Sequence, residues 1–259
     1  MPAVLALAVL AFTTLSVRAE DFWVKTDWKN WSKDDCMKML YNSPWTFQWQ
    51  QPIIIGDASS TQPESMTSMR ATHAARDPSV HYYIQDRSSV PVREAYIRYL
   101  QIANKYNKMD DAHKKAFDAQ AETILDRTFD EVILIHVDYT GPSPYQNELM
   151  EYWNHISEDK IKNNIFLINQ RGDYIPPFRF DRLNPADRAF EIYFPRTKNN
   201  EPIIQEADKM FTVEFPSPSI VAQLTTSLND PPAPRIPGGV GVVAEFKLEK
   251  MVWKGKRSY

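Results

Sequence analysis

The chain has one cysteine, Cys36, which directly follows Asp34 and Asp35 and is the first candidate for a reactive group. A thiol attacks as the thiolate, so a reactive cysteine needs a neighbour that lowers its pKa, whereas two adjacent carboxylates raise it. One cysteine also cannot form an internal disulfide, a CxxCH haem attachment or a four-cysteine zinc site. We therefore interpret Cys36 as a structural residue and keep a reactive thiol as the alternative.

The residues around Cys36 predict a short helix with a specific start and end. Ser32 and Asp35 have the spacing of a capping box, in which each side chain accepts a hydrogen bond from the other residue's backbone N–H. Trp31 then lies just before the cap and Cys36 at the fourth helical position, where two apolar side chains form a hydrophobic staple. Pro44 disfavours helical backbone at the residue before it, so the helix should end by then.

The five histidines have no metal-binding spacing such as H-E-x-x-H. His136 is the most interesting of them, because Asp138 follows two residues later on the same face of a predicted buried strand. A His–Asp pair can orient a base for a hydroxyl nucleophile, yet no G-x-S-x-G motif supplies one. We favour a hydrogen-bonded structural histidine, and a hydrolase with a dispersed, unrecognised site stays open.

Two short motifs match functional signatures but suit structural roles better. Arg171-Gly172-Asp173 matches an adhesion tripeptide, although glycine between two apolar runs is typical of a hairpin turn. Ser157 and Lys160 have the S-x-x-K spacing of serine acyl-enzymes, without the S-D-N or K-T-G that accompanies it. We predict a turn at the first motif and a solvated helix terminus at the second.

Tryptophan is concentrated near the start of the chain, where five of the seven tryptophans lie between residues 23 and 49. Exposed tryptophans can stack on sugar rings or anchor a protein partner, since the ring combines a large apolar area with a polar group. Our candidate binding residues are Trp28, Trp23 and Trp49, with Trp28 first because Asp27 and Lys29 flank it. Packing in the core is the more common role of such rings, and binding is the alternative.

Composition argues against several classes of function. With 259 residues, of which 43% are hydrophobic, the chain can bury a substantial core. The formal net charge of −3 provides no basic field, so no nucleic-acid partner is expected. The chain has only 7 glycines and no glycine-rich phosphate loop, which argues against a nucleotide enzyme. We expect neither a metal nor a cofactor.

The opening stretch MPAVLALAVLAFTTLSVRA predicts a cleaved signal peptide at residues 1–19. Its apolar run from Ala3 to Phe12 is too short to span a bilayer, and Val17-Arg18-Ala19 fits the small-x-small cleavage rule. No basic residue precedes the run, so the signal is weak or the true start codon lies upstream. No later segment is apolar enough for a transmembrane helix, and we expect a secreted or periplasmic protein.

Hydrophobic periodicity predicts strands interrupted by helices along the rest of the chain. Strand patterns occur at residues 53–55, 80–87, 131–139, 164–170, 174–180, 189–194 and 242–248. Helical patterns occur at 92–106, 110–129 and 145–157, and a proline-rich loop is predicted at 216–237. Because strands and helices do not alternate as βαβ units, we predict an α+β fold: an antiparallel, β-sandwich-like sheet with an inserted helical hairpin and a short capped N-terminal helix.

This interpretation divides the chain into three parts. The signal peptide at 1–19 is followed by a tryptophan-rich N-terminal segment and linker at 20–78, packed on the main domain. The sandwich-like domain then occupies residues 79–259, with the helical insertion at about 91–129.

The pattern W-x4-C-x2-(M/L)L-x2-SPW, at Trp31 to Trp45, resembles the N-terminal segment of a family of uncharacterised secreted bacterial proteins common in acidobacteria. Three further stretches are similar to that family: SSVPVREA at 88–95, FPR at 194–196 and the closing FKLEKMVWKGKRSY from Phe246. The resemblance implies export and a mixed fold. It carries over no catalytic or binding residue.

Three functions therefore remain open. The first is an exported, non-enzymatic envelope or extracellular interaction protein, with an unknown protein or glycan of the cell envelope as its partner. The second is a glycan-binding module that uses the N-terminal tryptophans. The third is the hydrolase with His136 and Asp138 as its candidate residues.

Overall fold

A computed structural model describes residues 22–52, 54–56, 79–142, 145–184, 187–218, 221–223 and 240–259. The predicted signal peptide, most of the predicted linker and most of the predicted proline-rich loop lie outside the described residues. In the part of the chain that is described, no helix is long and apolar enough to cross a membrane.

The α-helices of the described chain lie mainly in its first two thirds. They are α1 (Phe22–Lys25), α2 (Lys33–Tyr41), α3 (Val90–Ala103), α4 (Asp111–Leu125), α5 (Tyr145–His155) and α6 (Glu158–Asn164). Short 3₁₀ turns occur at Trp28–Asn30 and Tyr106–Lys108.

The strands begin directly after α2 and continue to the end of the chain. They are β1 (Thr46–Pro52), β2 (Ile54–Gly56), β3 (Ser79–Asp86), β4 (Val132–Thr140), β5 (Phe166–Asn169), β6 (Tyr174–Ile175), β7 (Arg179–Arg182), β8 (Ala189–Pro195), β9 (Thr197–Lys198), β10 (Glu201–Pro202), β11 (Met210–Ser217), β12 (Val221–Gln223), β13 (Val240–Lys247), β14 (Val252–Trp253) and β15 (Lys256–Arg257).

Two antiparallel sheets form the centre of the fold. The larger has five strands in the order β1-β3-β4-β8-β7, and the smaller has four in the order β13-β11-β5-β6. Short two-stranded ladders join β9 to β10 and β14 to β15 in antiparallel pairs, and β2 to β12 in a parallel pair. The connections are those of an α+β fold rather than of βαβ units.

The core lies between the two sheets. Tyr82 and Phe190 of the larger sheet meet Phe215 of the smaller one, with ring centroids 5.6 Å and 5.8 Å apart. Trp153 of α5 closes this cluster, with its ring 4.1 Å from that of Phe190. Sheets that share an aromatic core in this way are sandwich-like, so the predicted fold class is confirmed.

Strand β13 and the residue after it show how the sequence pattern produces this core. Val242, Ala244, Phe246 and Leu248 are buried, while the residues between them are exposed, as the alternation along an antiparallel strand requires. Burial then shifts to Met251 and Trp253, at the start of the β14–β15 hairpin. This confirms the strand predicted at 242–248.

The predicted helical hairpin consists of α3 and α4, inserted between the paired strands β3 and β4. Its second helix ends at Leu125, four residues before the end predicted at Phe129. Arg93 of α3 explains how this end is fixed, because its Nη1 donates hydrogen bonds of 2.7 to 2.9 Å to the carbonyls of Ile124, Leu125 and Arg127. The bonds to Ile124 and Leu125 satisfy carbonyls that the last helical turn leaves without partners.

Helix α2 begins and ends as the sequence predicts. Ser32 Oγ accepts the N–H of Asp35 at 3.1 Å, and Asp35 Oδ2 accepts the N–H of Ser32 at 3.1 Å, which completes the capping box. Trp31 and Cys36 are both fully buried, and the helix ends at Tyr41. After it, β1 pairs with β3 along seven residues, so the described N-terminal segment shares its sheet with the rest of the chain. The division of the chain at residue 78 stays a prediction.

Three local predictions have clear outcomes. Gly172 has a φ of +83° in the turn between β5 and β6, which confirms the hairpin turn at Arg171-Gly172-Asp173. Ser157 is the N-cap of α6, where its side chain accepts the N–H of Lys160, so this motif is a helix terminus. The proline-rich loop prediction is wrong at Val221–Gln223, which form β12, and at its start, because Pro216 and Ser217 belong to β11. There β11 has already passed its last residue paired with β5, and proline is tolerated where a strand lacks a neighbour on one side.

Candidate functional site

Two of the three tryptophans predicted to bind a ligand lie at one groove. Trp23 of α1 and Trp28 of the first 3₁₀ turn meet Trp253 of β14 around a groove of about 470 Å³, with Lys25, Asp27 and Lys254 on its sides. We call it the tryptophan groove. The third predicted residue, Trp49, lies elsewhere: it belongs to β1, and its ring is 5.9 Å from that of Tyr82.

The first wall of the groove is fixed by hydrogen bonds close along the chain. Asp27 caps the 3₁₀ turn, and its carboxylate accepts the backbone N–H of Lys29 at 2.9 Å. The buried indole of Trp31 donates to the carbonyl of Thr26 at 3.0 Å, which ties the same segment to the core. Trp28 lies in this hydrogen-bonded segment and is half-buried. The Lys29 ammonium is 5.9 Å from the centroid of its ring.

The second wall is the β14–β15 hairpin. Lys254 and Gly255 have φ values of 49° and 78°, and positive φ at both central residues is the mark of a type I′ hairpin turn. Trp253 packs edge to face against Trp31 at 5.9 Å, so the hairpin shares the aromatic packing of the first wall. The Lys254 ammonium lies 5.2 Å from the Trp253 ring, at the rim.

Buried aromatic rings lie beneath the groove. Trp23 contacts Phe22 and Trp45 edge to face, with ring centroids 5.1 Å and 5.8 Å apart. Trp45 is fully buried, whereas Trp23 is half-buried. The groove rings are therefore held in place by core packing before any ligand arrives.

This arrangement suits a ligand with both apolar faces and hydroxyl groups. The half-buried rings of Trp23 and Trp28 offer flat apolar area beside the mostly buried Trp253, while Lys254 and Asp27 supply a hydrogen-bond donor and an acceptor at the rim. The volume lies within the ordinary range of small-molecule sites, which is roughly 300 to 1,000 Å³.

Glu94 of α3 is an unusual carboxyl group close to the groove. Its Oε2 is buried and has no hydrogen-bond partner within the described residues. Burial raises the pKa of Glu94 to about 7, and the charges that act on it include Lys254, which lowers the pKa, and Asp27, which raises it. A buried carboxyl group without a partner favours its neutral form.

The predicted pair of His136 and Asp138 is present on the face of the larger sheet that points away from the core. His136 Nε2 lies 3.1 Å from Asp138 Oδ1, and its Nδ1 lies 3.4 Å from Glu191 Oε1. Burial alone raises the pKa of Glu191, but hydrogen bonds from His136 and Tyr193 outweigh it and lower that pKa to about 2. The Tyr193 hydroxyl donates to Glu191 at 2.6 Å.

These contacts bear on the hydrolase hypothesis. Both ring nitrogens of His136 face carboxylates, so neither is free to take a proton from a hydroxyl nucleophile. The pattern is that of a hydrogen-bonded histidine in a charged network. Sequence spacing indicated Asp138 but missed Glu191, which reaches His136 only through the cross-strand pairing of β4 with β8.

Cys36 is not part of a site. Its side chain is fully buried, and burial raises the pKa of the thiol to about 11, against the lowering effect of Arg98. A buried thiol with a raised pKa is a poor nucleophile. Among the residues that the structure describes, no group of three or more His, Cys, Asp or Glu side chains could hold a metal ion.

Comparisons with known proteins give no match, whether with family models, with curated proteins or with solved structures.

Proposed function

We propose that the protein is an exported, non-enzymatic binding protein of the cell envelope or the extracellular space, and that it binds a glycan in the tryptophan groove. The observation that carries this proposal is the meeting of Trp23, Trp28 and Trp253 at one groove, although Trp253 lies more than 200 residues further along the chain. We propose as well that this chain is a member of the family of secreted bacterial proteins that its N-terminal pattern resembles.

The chemistry of the groove favours a sugar over a purely apolar ligand. Sugar rings present C–H faces that stack on indole and hydroxyl groups that need donors and acceptors. Lys25, Asp27 and Lys254 supply these polar groups beside the rings. Because the rings are already held by the core, binding loses little conformational entropy in the protein.

A protein partner at the same groove is the second candidate. Val24 and Val252 line the groove and are 62% and 38% exposed, which adds apolar surface beyond what a single sugar would cover. Exposed apolar patches with polar rims also occur at protein interfaces. The two candidates share a site and differ in the ligand.

Polysaccharide retention tests the proposal directly. The protein from residue 20 onward is incubated with insoluble cellulose, chitin, xylan and peptidoglycan, and the bound fraction is measured for the wild type, Trp28→Ala and Lys254→Gln. Trp49→Ala is the matched control, since Trp49 is also half-buried but lies outside the groove. We expect retention of the wild type and of the control on at least one polysaccharide and its loss in Trp28→Ala.

The melting temperature of each variant separates binding from folding. Lys254 is exposed, so Lys254→Gln should keep the wild-type melting temperature while it weakens retention. If the wild type, Trp28→Ala and Lys254→Gln are retained equally, the tryptophan groove is not the binding site. If the wild type is retained on none of the four polysaccharides, the proposal that the groove binds a glycan is contradicted, and a protein partner remains as the candidate ligand.

A further inference from the structure

A second and larger pocket, of about 730 Å³, lies between α2 and the outer face of the five-stranded sheet. Its floor is a row of cross-strand neighbours, in which Gln48 of β1 pairs with Tyr83 of β3, and Tyr83 pairs with Asp138 of β4. Its wall is formed by Tyr41 and other residues of α2. We call this site the tyrosine pocket, and it shares no residue with the tryptophan groove.

Two tyrosine rings form a corner of the pocket. Tyr41 and Tyr83 lie with their centroids 5.1 Å apart and their planes at 84°, so the face of one ring meets the edge of the other. The Gln48 side chain donates a hydrogen bond to the carbonyl of Tyr41, which joins the wall to the floor. Both rings are half-buried, and each leaves part of its surface to the pocket.

The Asp138 carboxylate is held beside this corner. Its Oδ1 lies 3.1 Å from His136 Nε2, and Gln85 Nε2 donates to its Oδ2 at 3.4 Å, a long hydrogen bond. The side chain keeps 26% of its surface exposed, and it lines the pocket. A carboxylate fixed by its own network and open to solvent on one side can pair with a ligand without reorganisation.

The charges around the pocket favour a cation. Asp138 and Asp34 contribute two carboxylates, while Lys38 contributes one ammonium group, so the acidic groups are in excess. Lys38 is exposed on α2 and can extend into solvent, whereas Asp138 is fixed in the sheet. Tyrosine faces carry negative charge density and attract ammonium groups within about 6 Å.

We propose that the tyrosine pocket binds an organic cation, with an alkylammonium group held in the corner formed by the Tyr41 ring, the Tyr83 ring and the carboxylate of Asp138. Burial and, to a smaller extent, the charge of Asp138 raise the pKa of Tyr41 to about 12, against the lowering effect of Arg87, so the phenol stays neutral and offers its ring to the ligand. The volume of the pocket leaves room for an alkyl chain beyond the charged group.

Titration with n-butylammonium chloride, followed by amide chemical shifts in NMR, tests the proposal. 1-Butanol is the neutral control ligand, since it has the same chain without the charge. We expect saturable shifts around Tyr41, Tyr83 and Asp138 with the ammonium, and none of comparable size with the alcohol.

Variants identify the groups responsible. Asp138→Asn should weaken binding about tenfold, as one lost charge contact of about 1.4 kcal/mol requires. Tyr83→Leu should also weaken it, whereas Tyr83→Phe keeps the ring face and should bind as the wild type does. Lys38→Gln should tighten binding, because it removes the competing ammonium group. Asp130→Asn is the matched control. Asp130 is exposed and lies two residues before β4 begins, at the end of the strand far from Asp138, so its substitution should leave binding unchanged.

Because Asp138 also contacts His136, Asp34→Asn provides a second acidic variant that leaves the sheet network intact. Any one of three results would overturn the proposal. The shifts do not saturate, 1-butanol gives an equal response, or folded Asp138→Asn and Asp34→Asn bind the ammonium as tightly as the wild type. Polysaccharide retention by the tryptophan groove should be the same in all these variants, so the two proposals can fail independently.

Discussion

The indole N–H of Trp45 donates a 2.6 Å hydrogen bond to the carbonyl oxygen of Ser258, which lies 213 residues further along the chain. The hydroxyl of Ser89 donates to the same oxygen at 2.7 Å. Arg196 donates to the carbonyl of the next residue, Tyr259. Four short stretches of the sequence therefore meet at one place and hold the end of the described chain against the core. They are SPW at 43–45, SSVPVREA at 88–95, FPR at 194–196 and KRSY at 256–259.

The shared carbonyl of Ser258 predicts coupling between Trp45 and Ser89. Trp45→Phe should destabilise the protein by roughly 1 to 3 kcal/mol, since it removes one hydrogen bond and part of a buried ring. Ser89→Ala leaves the indole as a partner for the carbonyl, but the double variant leaves that oxygen with neither donor. We expect a coupling energy of at least about 0.5 kcal/mol from urea unfolding of the four proteins. Thr123→Ala, an exposed change in α4, should be additive with Trp45→Phe.

Cys36 should behave as a buried structural residue. Ellman's reagent at about pH 8 should label the native protein slowly and the urea-unfolded protein at once, because the thiol is buried and its pKa is raised to about 11. Cys36→Ala should cost on the order of 1 kcal/mol of unfolding free energy. Cys36→Ser should cost more than Cys36→Ala, since it places a hydroxyl in an apolar site. Rapid labelling of the native protein would restore the reactive-thiol hypothesis.

Glu94 should make stability fall as the pH rises. Its folded pKa of about 7 exceeds its ordinary value of 4.5, so the folded protein holds this proton more tightly than the unfolded chain. The resulting stabilisation is complete below the ordinary pKa and is lost as the pH rises through the folded one. Glu94→Gln should therefore be more stable than the wild type at about pH 8, by up to roughly 3 kcal/mol, and show no such gain near pH 4.

Chemical unfolding of wild type and Glu94→Gln across this range of pH measures the effect. Glu131→Gln is the control, because Glu131 is exposed and its substitution should leave the pH dependence unchanged. If the unfolding free energies of the wild type and of Glu94→Gln rise to the same degree between about pH 5 and pH 8, the assignment to Glu94 is contradicted.

Much of the fold follows from local patterns in the sequence. The helix around Cys36 follows from a capping box and a proline, and the buried face of β13 follows from apolar residues at every second position from Val242 to Leu248. These signals act over a few residues and need no knowledge of the rest of the chain. The predicted α+β sandwich rests on such elements, and so does the hairpin turn at Gly172.

The sites depend on long-range pairing, which local patterns do not contain. Trp253 joins Trp23 and Trp28 only because the β14–β15 hairpin packs on the first residues of the described chain. Glu191 joins His136 only because of the register between β4 and β8. One usable signal was present: Gly255, directly after Val252-Trp253-Lys254, suits the positive φ of a tight hairpin turn and could have placed Trp253 on a hairpin.

Export is tested by the mature N-terminus. Expression of the chain with residues 1–19 in a bacterium that has a secretion system should give periplasmic or secreted protein that begins at Glu20, because Val17-Arg18-Ala19 fits the cleavage rule. N-terminal sequencing of the purified protein measures this. Ala19→Pro should block cleavage and serves as the control. Uncleaved protein that remains in the cytoplasm, after the start codon has been verified, would contradict the proposed location.

Fluorine NMR of the protein labelled with 5-fluorotryptophan tests the glycan groove most directly, since the chain has 7 tryptophans whose signals can be assigned by single substitutions. A soluble oligosaccharide of the retained polysaccharide is titrated into the labelled protein. The tryptophan groove predicts that the signals of Trp23, Trp28 and Trp253 shift in a saturable way, while those of Trp49 and the buried Trp153 stay in place. Shifts confined to Trp49, or no shift of Trp28 at saturation, would contradict it.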